Sequence, residues 1–216
     1  MTKANGNAGT DKAIYSHGAL FDLDGVLIDS EGIYTEFWEQ IDREYPTGVK
    51  DFAHVIKGNT LDRILTTYFD QPLHPAILKL LRQQEEEMVY RPFPGVIEFM
   101  NGLRQAGWGI AIVTSSNMRK MEGLFSQVPQ MAEAFDVLVT DGDVKNSKPA
   151  PEGYLLAARR LSLEPACCTV FEDSLAGLKA GRNAGCRVVA VATTNPREVV
   201  EPLADITVDF VTEFRP

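Results

Sequence analysis

Short apolar runs that end in polar residues alternate along this chain with segments of helical periodicity. The runs at 19–23, 108–113, 137–139, 169–171, 187–192 and 206–208 read as strands. The segments 96–106, 118–125, 152–161 and 175–184 read as helices, and a last helix opens after Thr193-Thr194-Asn195-Pro196. Alternation of this kind implies a parallel sheet joined by right-handed crossovers. One stretch interrupts it. From Ser30 onward the apolar residues sit at helical spacing: Ile33, Phe37, Trp38 and Ile41, then Leu61, Ile64, Leu65 and Tyr68, then Ile77, Leu78, Leu81 and Met88. Pro92 and Pro94-Gly95 close this stretch. A length of 216 residues suits one α/β domain with a modest insertion. The expected organisation is an α/β core at 17–30 and 95–216, a small inserted α-helical cap domain at 31–94, and a disordered tail at 1–16.

In an open parallel sheet, ligands bind beyond the carboxyl ends of the strands. The polar residues at those ends are Asp22 and Asp24, then Thr114, Ser115 and Ser116, then Glu172 and Asp173, and Lys148 sits in the loop Ser147-Lys148-Pro149. They come from four parts of the chain and should converge on one crevice. Four carboxyl groups cannot all stay ionised at close range without compensation. A hard divalent cation supplies it, and Mg²⁺ takes one or two carboxylates together with waters and substrate phosphate. A carboxylate can attack phosphorus and form an acyl phosphate. A second carboxyl group can protonate the leaving alcohol and later deprotonate the attacking water. Lys148 suits charge neutralisation during phosphoryl transfer. Thr114 and the amides after it make an anion cradle at the start of the next helix, and Thr114 is also expected to help cap that helix.

The net charge of −9 argues against a nucleic-acid partner, because most of the surface would repel a polyanion. No apolar run approaches the roughly 18 residues of a membrane span, and the polar opening residues lack the apolar stretch of a signal peptide. Cys167, Cys168 and Cys186 lack CxxC spacing, so they read as small buried thiols in a reducing cytoplasm. His17, His54 and His74 show no partner pattern and read as structural, and Glu85-Glu86-Glu87 reads as a solvated helix face.

Asp22-Leu23-Asp24-Gly25-Val26-Leu27-Ile28-Asp29-Ser30 resembles the first motif of the haloacid-dehalogenase superfamily. Val113-Thr114-Ser115-Ser116 resembles its second motif, and Ser147-Lys148-Pro149-Ala150-Pro151-Glu152 its third. Phe171-Glu172-Asp173-Ser174-Leu175-Ala176-Gly177-Leu178-Lys179-Ala180-Gly181 resembles the fourth, in the form of the β-phosphoglucomutase-like branch. All four occur in order and at matching spacing over about residues 17–200.

The resemblance implies a Rossmann-like core with a mobile helical cap, Mg²⁺ as cofactor and a small phosphorylated substrate, with a sugar phosphate favoured. It implies that Asp22 is the nucleophile and a metal ligand. Asp24 is implied as the acid/base, with its main-chain carbonyl on the metal. Thr114, with Ser115 and Ser116, would bind the phosphoryl group, and Lys148 would neutralise charge between it and Asp22. Asp173 would ligate the metal, with Glu172 as a direct or water-mediated helper. Asp24 argues against a dehalogenase, because a halide leaves without a proton. In β-phosphoglucomutases a histidine stands where Tyr34 does here, and a phosphate-holding arginine stands where Leu61 does, three residues after Lys57-Gly58. Losing that arginine argues for a hydrolase over a phosphosugar mutase. Lys57 remains a candidate substrate contact, Tyr34 and Trp38 are candidate cavity residues, and Asn59 is a candidate helix cap. The alternatives are a mutase, an inorganic pyrophosphatase and, from another class, a catalytically inactive binding module.

Overall fold

The structure is a computed structural model that describes residues 15–216, and residues 1–14 of the expected tail lie outside the described residues. Tyr15 and Ser16, counted with that tail, lead into the first strand and contact the core. The Ser16 amide donates to the Gly107 carbonyl at 3.3 Å, and the Tyr15 ring packs beside Gly109.

Strand β1 (His17–Phe21) runs straight into a loop that folds back on itself. The Leu23 carbonyl accepts from the Leu27 and Ile28 amides at 2.8 and 3.1 Å, and the Gly25 amide donates to the Ile28 carbonyl at 2.9 Å. Gly25 holds the turn at φ 76°, a left-handed conformation that disfavours a side chain, and a Cβ there would sit 2.1 Å from Asp173 Oδ2.

Four helices follow: α1 (Glu31–Glu44), α2 (Phe52–Val55), α3 (Leu61–Tyr68) and α4 (His74–Glu87). Their helical spacing gathers Phe37, Trp38, Phe52, Ile64, Ile77 and Leu81 into an apolar cluster separate from the main core. Trp38 is its centre, edge-on to Phe37 at 5.1 Å and to Phe52 at 6.0 Å. Met88 and Tyr90 leave this cluster and pack into the main core. The two connections between insertion and core lie side by side. The Asp29 amide donates to the Arg91 carbonyl at 2.8 Å, and the Phe93 amide to the Leu27 carbonyl at 3.0 Å.

The starts of α1 and α3 are set in different ways. The hydroxyl of Ser30, before α1, makes no cap bond and goes to Asp24 instead. Thr60, not Asn59, caps α3, accepting from the Arg63 amide, while the Asn59 side chain donates to the Ile56 carbonyl at 2.9 Å.

The rest of the chain alternates as the apolar runs suggest: α5 (Val96–Gln105), β2 (Trp108–Val113), α6 (Met118–Gln127), α7 (Pro129–Glu133), β3 (Val137–Val139), α8 (Glu152–Arg160), β4 (Cys168–Glu172), α9 (Leu175–Ala184), β5 (Arg187–Val191), α10 (Arg197–Val200) and β6 (Ile206–Val208). All six strands are parallel, in the order β3-β2-β1-β4-β5-β6. This is the expected α/β, Rossmann-like arrangement with a helical insertion. Side chains alternate across the sheet: Phe21, Ile112 and Phe171 join α5 and α6 on one face, while Leu20, Val113 and Val170 join α8 and α9 on the other. Every residue of β2 and β4 is buried, because helices cover both faces. The Phe21 and Phe171 rings stack at 4.6 Å, and truncating either to alanine would cost roughly 3–5 kcal/mol. Cys168 and Cys186 are buried as expected, but Cys167 is exposed.

Strand order reverses between β1 and β4. From β1 the chain winds outward through β2 and β3, then returns to β4 on the other side. A crevice opens at such a switch point, at the carboxyl ends of the two central strands.

Candidate active site

Asp22 follows the last residue of β1, and Glu172 ends β4 with Asp173 next to it, so three acids stand at the reversal of strand order. One carboxylate oxygen from each lies within 4.8 Å of the others. The β1–β4 pairing continues to the site, with the Asp22 amide donating to the Phe171 carbonyl at 3.0 Å. Lys148 reaches in from the loop before α8. Its Nζ lies 2.6 Å from Asp22 Oδ1 and 2.5 Å from Glu172 Oε1, and it donates to the Val113 carbonyl at 3.3 Å.

Glu172 has no solvent exposure and is held from five directions. Lys148 and the Tyr154 hydroxyl (2.8 Å) donate to Oε1; the amides of Asp173 and Ser174 and the Ser174 hydroxyl donate to Oε2. Its carboxylate thus sits at the start of α9, where the helix dipole favours negative charge. The Asp22 carboxyl is pushed up to about 8, because burial and then the Glu172 carboxylate raise it by more than the Lys148 ammonium lowers it. Burial alone would lower Lys148, but Asp22 and Glu172 outweigh it and hold the ammonium charged.

Asp24 is turned away from this cluster. Both its carboxylate oxygens face Lys120 Nζ, at 2.5 and 2.6 Å, and it also accepts from the Ser30 hydroxyl and, at 3.1 Å, from the Ser116 hydroxyl. Burial would raise the Asp24 carboxyl, but Lys120 and the two hydroxyls hold it below the usual carboxylate range. The Lys120 ammonium in turn lies 4.3 Å from the centre of the Tyr34 ring.

The other expected residues surround the same space. Thr114 is buried at the end of β2, and its Oγ1 accepts from the Ser116 amide at 3.0 Å. It does not cap α6; Asn117 does, accepting from the Lys120 amide at 2.9 Å. The Ser115 hydroxyl donates to the Gly58 carbonyl at 2.9 Å, tying the insertion to the core. Arg63 makes a second tie, donating to the Lys148 carbonyl at 3.4 Å. A cavity of about 120 Å³ remains between insertion and core. Asp22, Asp24 and Thr114 line it from below, and Tyr34, Lys57, Leu61 and Glu85 from above. The acidic run 85–87 is therefore not simply a solvated face. Glu85 borders the cavity and accepts from the Tyr34 hydroxyl at 3.4 Å, and Glu86 pairs with Arg119.

The acid cluster fits Mg²⁺. Its donors are hard oxygens, and four carboxylates with only Lys148 and Lys120 among them leave excess negative charge. Thr194 Oγ1, buried without a hydrogen-bond partner, borders Gly25 on the side where Asp173 does. The oxygens of Glu172 are taken by five donors, which suits it to a supporting place beside Asp22 and Asp173.

Lys120 and Tyr154 were not singled out from sequence, yet each touches a site acid. A signal for Lys120 does exist. Arg119 and Lys120 stand in the first turn of α6, where positive charge opposes the helix dipole. Each is offset by a carboxylate from elsewhere, Glu86 and Asp24. Tyr154 carries no such signal, since its helical spacing is that of any core aromatic.

The family model described as haloacid dehalogenase-like hydrolase matches residues 17–185. The chain is similar to validoxylamine A 7′-phosphate phosphatase of Streptomyces hygroscopicus subsp. limoneus, with 32% identity over 91% of this chain and 95% of that protein. It is similar to hexitol phosphatase A of Escherichia coli (strain K12), with 34% identity over 81% of this chain and 82% of that one. The crystal structure of β-phosphoglucomutase from Clostridium difficile shares the fold, with a TM-score of 0.72 at 21% identity over 92% of this chain and 93% of that one.

Proposed function

Because this chain belongs to the haloacid dehalogenase-like hydrolase family, we propose that it is a Mg²⁺-dependent phosphatase that cleaves a small phosphorylated polyol or sugar through a phosphoryl group carried on Asp22. The observation that carries this reading is the convergence of Asp22, Lys148, Glu172 and Asp173 at the switch between β1 and β4.

In the first step an Asp22 carboxylate oxygen attacks phosphorus, and the bond from phosphorus to the leaving oxygen breaks. The alcohol departs with a proton from Asp24. In the second step water attacks the same phosphorus, the bond to Asp22 breaks, and Asp24 accepts the water's proton. Lys148, 2.6 Å from Asp22, offsets the charge on the transferring oxygens. Thr114 and the amides beyond it hold those oxygens. Asp22 and Asp173, with Glu172 supporting, would hold Mg²⁺, which would offset charge that otherwise repels the substrate phosphate. The helices at 31–94 act as a cap whose docking excludes bulk water, and the ties from Ser115 to Gly58 and from Arg63 to Lys148 support a docked state.

The substrate proposal rests on two supports. Two relatives carry the names validoxylamine A 7′-phosphate phosphatase and hexitol phosphatase A. Leu61 lines the cavity where a second phosphate would need a cation, which disfavours the mutase reading. Three unpaired cysteines agree with work in the cytoplasm. Among the described residues no helix is long and apolar enough to cross a membrane.

The test is phosphate release from hexitol, sugar and nucleoside monophosphates and from pyrophosphate, with Mg²⁺ or EDTA, by the wild type and Asp22→Asn. Release that needs both Mg²⁺ and Asp22, with polyol or sugar phosphates ranked first, is expected. Release that survives Asp22→Asn sinks the mechanism, and a ranking led by pyrophosphate sinks the substrate class.

A further inference from the structure

Resting on the phosphatase reading, we propose that Glu85 is a specificity-determining residue: its carboxylate accepts a hydroxyl of the substrate's alcohol part and turns away alcohols that carry a second anionic group.

The insertion gives the cavity a wall of two kinds. Trp38, Ile56, Ile64 and Leu81, all buried, offer it apolar surface. Glu85 of α4 is the one acid that the insertion adds to the wall, among the described residues. No step of the phosphoryl transfer uses it. Asp22 and Thr114 place that transfer at the floor, so Glu85 faces whatever the phosphate is attached to.

The Glu85 carboxylate is committed to little. Among the described residues it accepts one hydrogen bond, from the Tyr34 hydroxyl at 3.4 Å, which is a long one. The neighbouring cations have closer partners. Lys120 spans the two Asp24 oxygens at 2.5 and 2.6 Å, and Arg119 pairs with Glu86. Burial raises the Glu85 carboxyl, and Lys120, Arg119 and the Tyr34 hydroxyl pull it back towards the charged form. The Glu86–Arg119 pair and the Tyr34 ring, 4.3 Å from the Lys120 ammonium, join this part of the insertion to α6 of the core. They keep the carboxylate at the cavity when the insertion is docked.

An acceptor with lone pairs to spare, in a half-buried place, suits a hydroxyl. A sugar or polyol supplies several, and its C–H edges suit the apolar wall beside Glu85. A phosphate or carboxylate in the same place would meet a like charge, with little water between them to weaken the repulsion. Leu61 only withholds a cation from a second phosphate, whereas Glu85 opposes any second anion. Lys57 lines the cavity too, and if it read the far end of the substrate the preference would run the other way.

The test measures kcat/KM for phosphate release with Mg²⁺ from sorbitol 6-phosphate, 6-phosphogluconate and 4-nitrophenyl phosphate, by the wild type, Glu85→Gln, Glu85→Leu and Asp22→Asn. The first two substrates differ only at the far end of the chain, a primary alcohol against a carboxylate. The third has no hydroxyl to offer. The wild type should prefer sorbitol 6-phosphate to 6-phosphogluconate by about 100-fold. Glu85→Gln keeps the shape and an acceptor but removes the charge, and should narrow that preference by about tenfold or more. In Glu85→Leu the ratio of sorbitol 6-phosphate to 4-nitrophenyl phosphate should fall by about 10–100-fold, the worth of a hydrogen bond to a charged group. Glu85→Gln decides the matter if Glu85→Leu does not fold. A wild type that prefers 6-phosphogluconate, a Glu85→Gln preference equal to that of the wild type, or a Glu85→Leu variant that loses alike on every substrate would overturn the proposal while leaving the phosphatase reading intact. Phosphate release that persists in Asp22→Asn would overturn both.

Discussion

Glu172 shows how tightly single residues are set here. A Cβ on Gly177 would lie 1.7 Å from Glu172 Oε1, so the first turn of α9 is packed directly on that carboxylate. Alanine is normally the better helix former by about 1 kcal/mol, and a propensity argument would favour Gly177→Ala. The packing says otherwise, because Glu172 is pinned by five donors and has nowhere to move. Gly177→Ala should destabilise the protein by about 1–3 kcal/mol in urea unfolding and lower Mg²⁺-dependent phosphate release as well. A variant that is more stable and fully active would show that Glu172 is free to relax. At this scale, Asp22, Thr114, Glu172 and Asp173 were legible because they punctuate apolar runs, and Lys148 because of the loop Ser147-Lys148-Pro149. Lys120 was not, because its partner lies 96 residues away and only the folded chain brings them together.

At the scale of elements, periodicity located the helices and strands well, and it failed at their ends. A hydroxyl or amide before a helix is an expected cap, yet Ser30 spends its hydroxyl on Asp24, and Asn59 yields the cap to Thr60. Both side chains are spent on partners a few residues back, Asp24 for Ser30 and the Ile56 carbonyl for Asn59, and helical periodicity does not contain that competition. The β5–β6 edge gives a test. Asp205 accepts from the Val188 amide at 2.7 Å and pairs with Arg182 at 2.7 Å, clipping the turn before β6 to β5 and α9. Burial would raise its carboxyl, but the Val188 amide and the Arg182 guanidinium hold it below the usual range. A depressed folded pKa means that the stabilisation is present above the unfolded value and is lost as pH falls through the folded one. Asp205→Asn should therefore cost about 1 kcal/mol at neutral pH, and the gap to wild type should close below about pH 4. Denaturant midpoints across that range check this, and a gap independent of pH would mean that the clip does not depend on the charge.

For the whole molecule, the alternation of runs revealed the parallel sheet, and the single interruption revealed the helical insertion. Strand order was not legible: nothing in the apolar pattern says that β4 returns beside β1. That return makes the site, since it brings Glu172 and Asp173 to Asp22 from about 150 residues away along the chain. Nor was it legible that the insertion contributes to the site's electrostatics through Tyr34 and Glu85, because the placement of one packed unit on another is set by surfaces that form only on folding. The chemistry proposed for the site turns on Asp22 carrying the phosphoryl group during turnover. The most direct measurement is acid quenching of the enzyme during steady turnover of a hexitol phosphate with Mg²⁺, followed by intact and peptide mass analysis. The expected result is an added phosphoryl mass on the peptide containing Asp22, absent in Asp22→Asn. Phosphate release with no such mass on the chain, or a phosphoryl group on another residue, would contradict the claim.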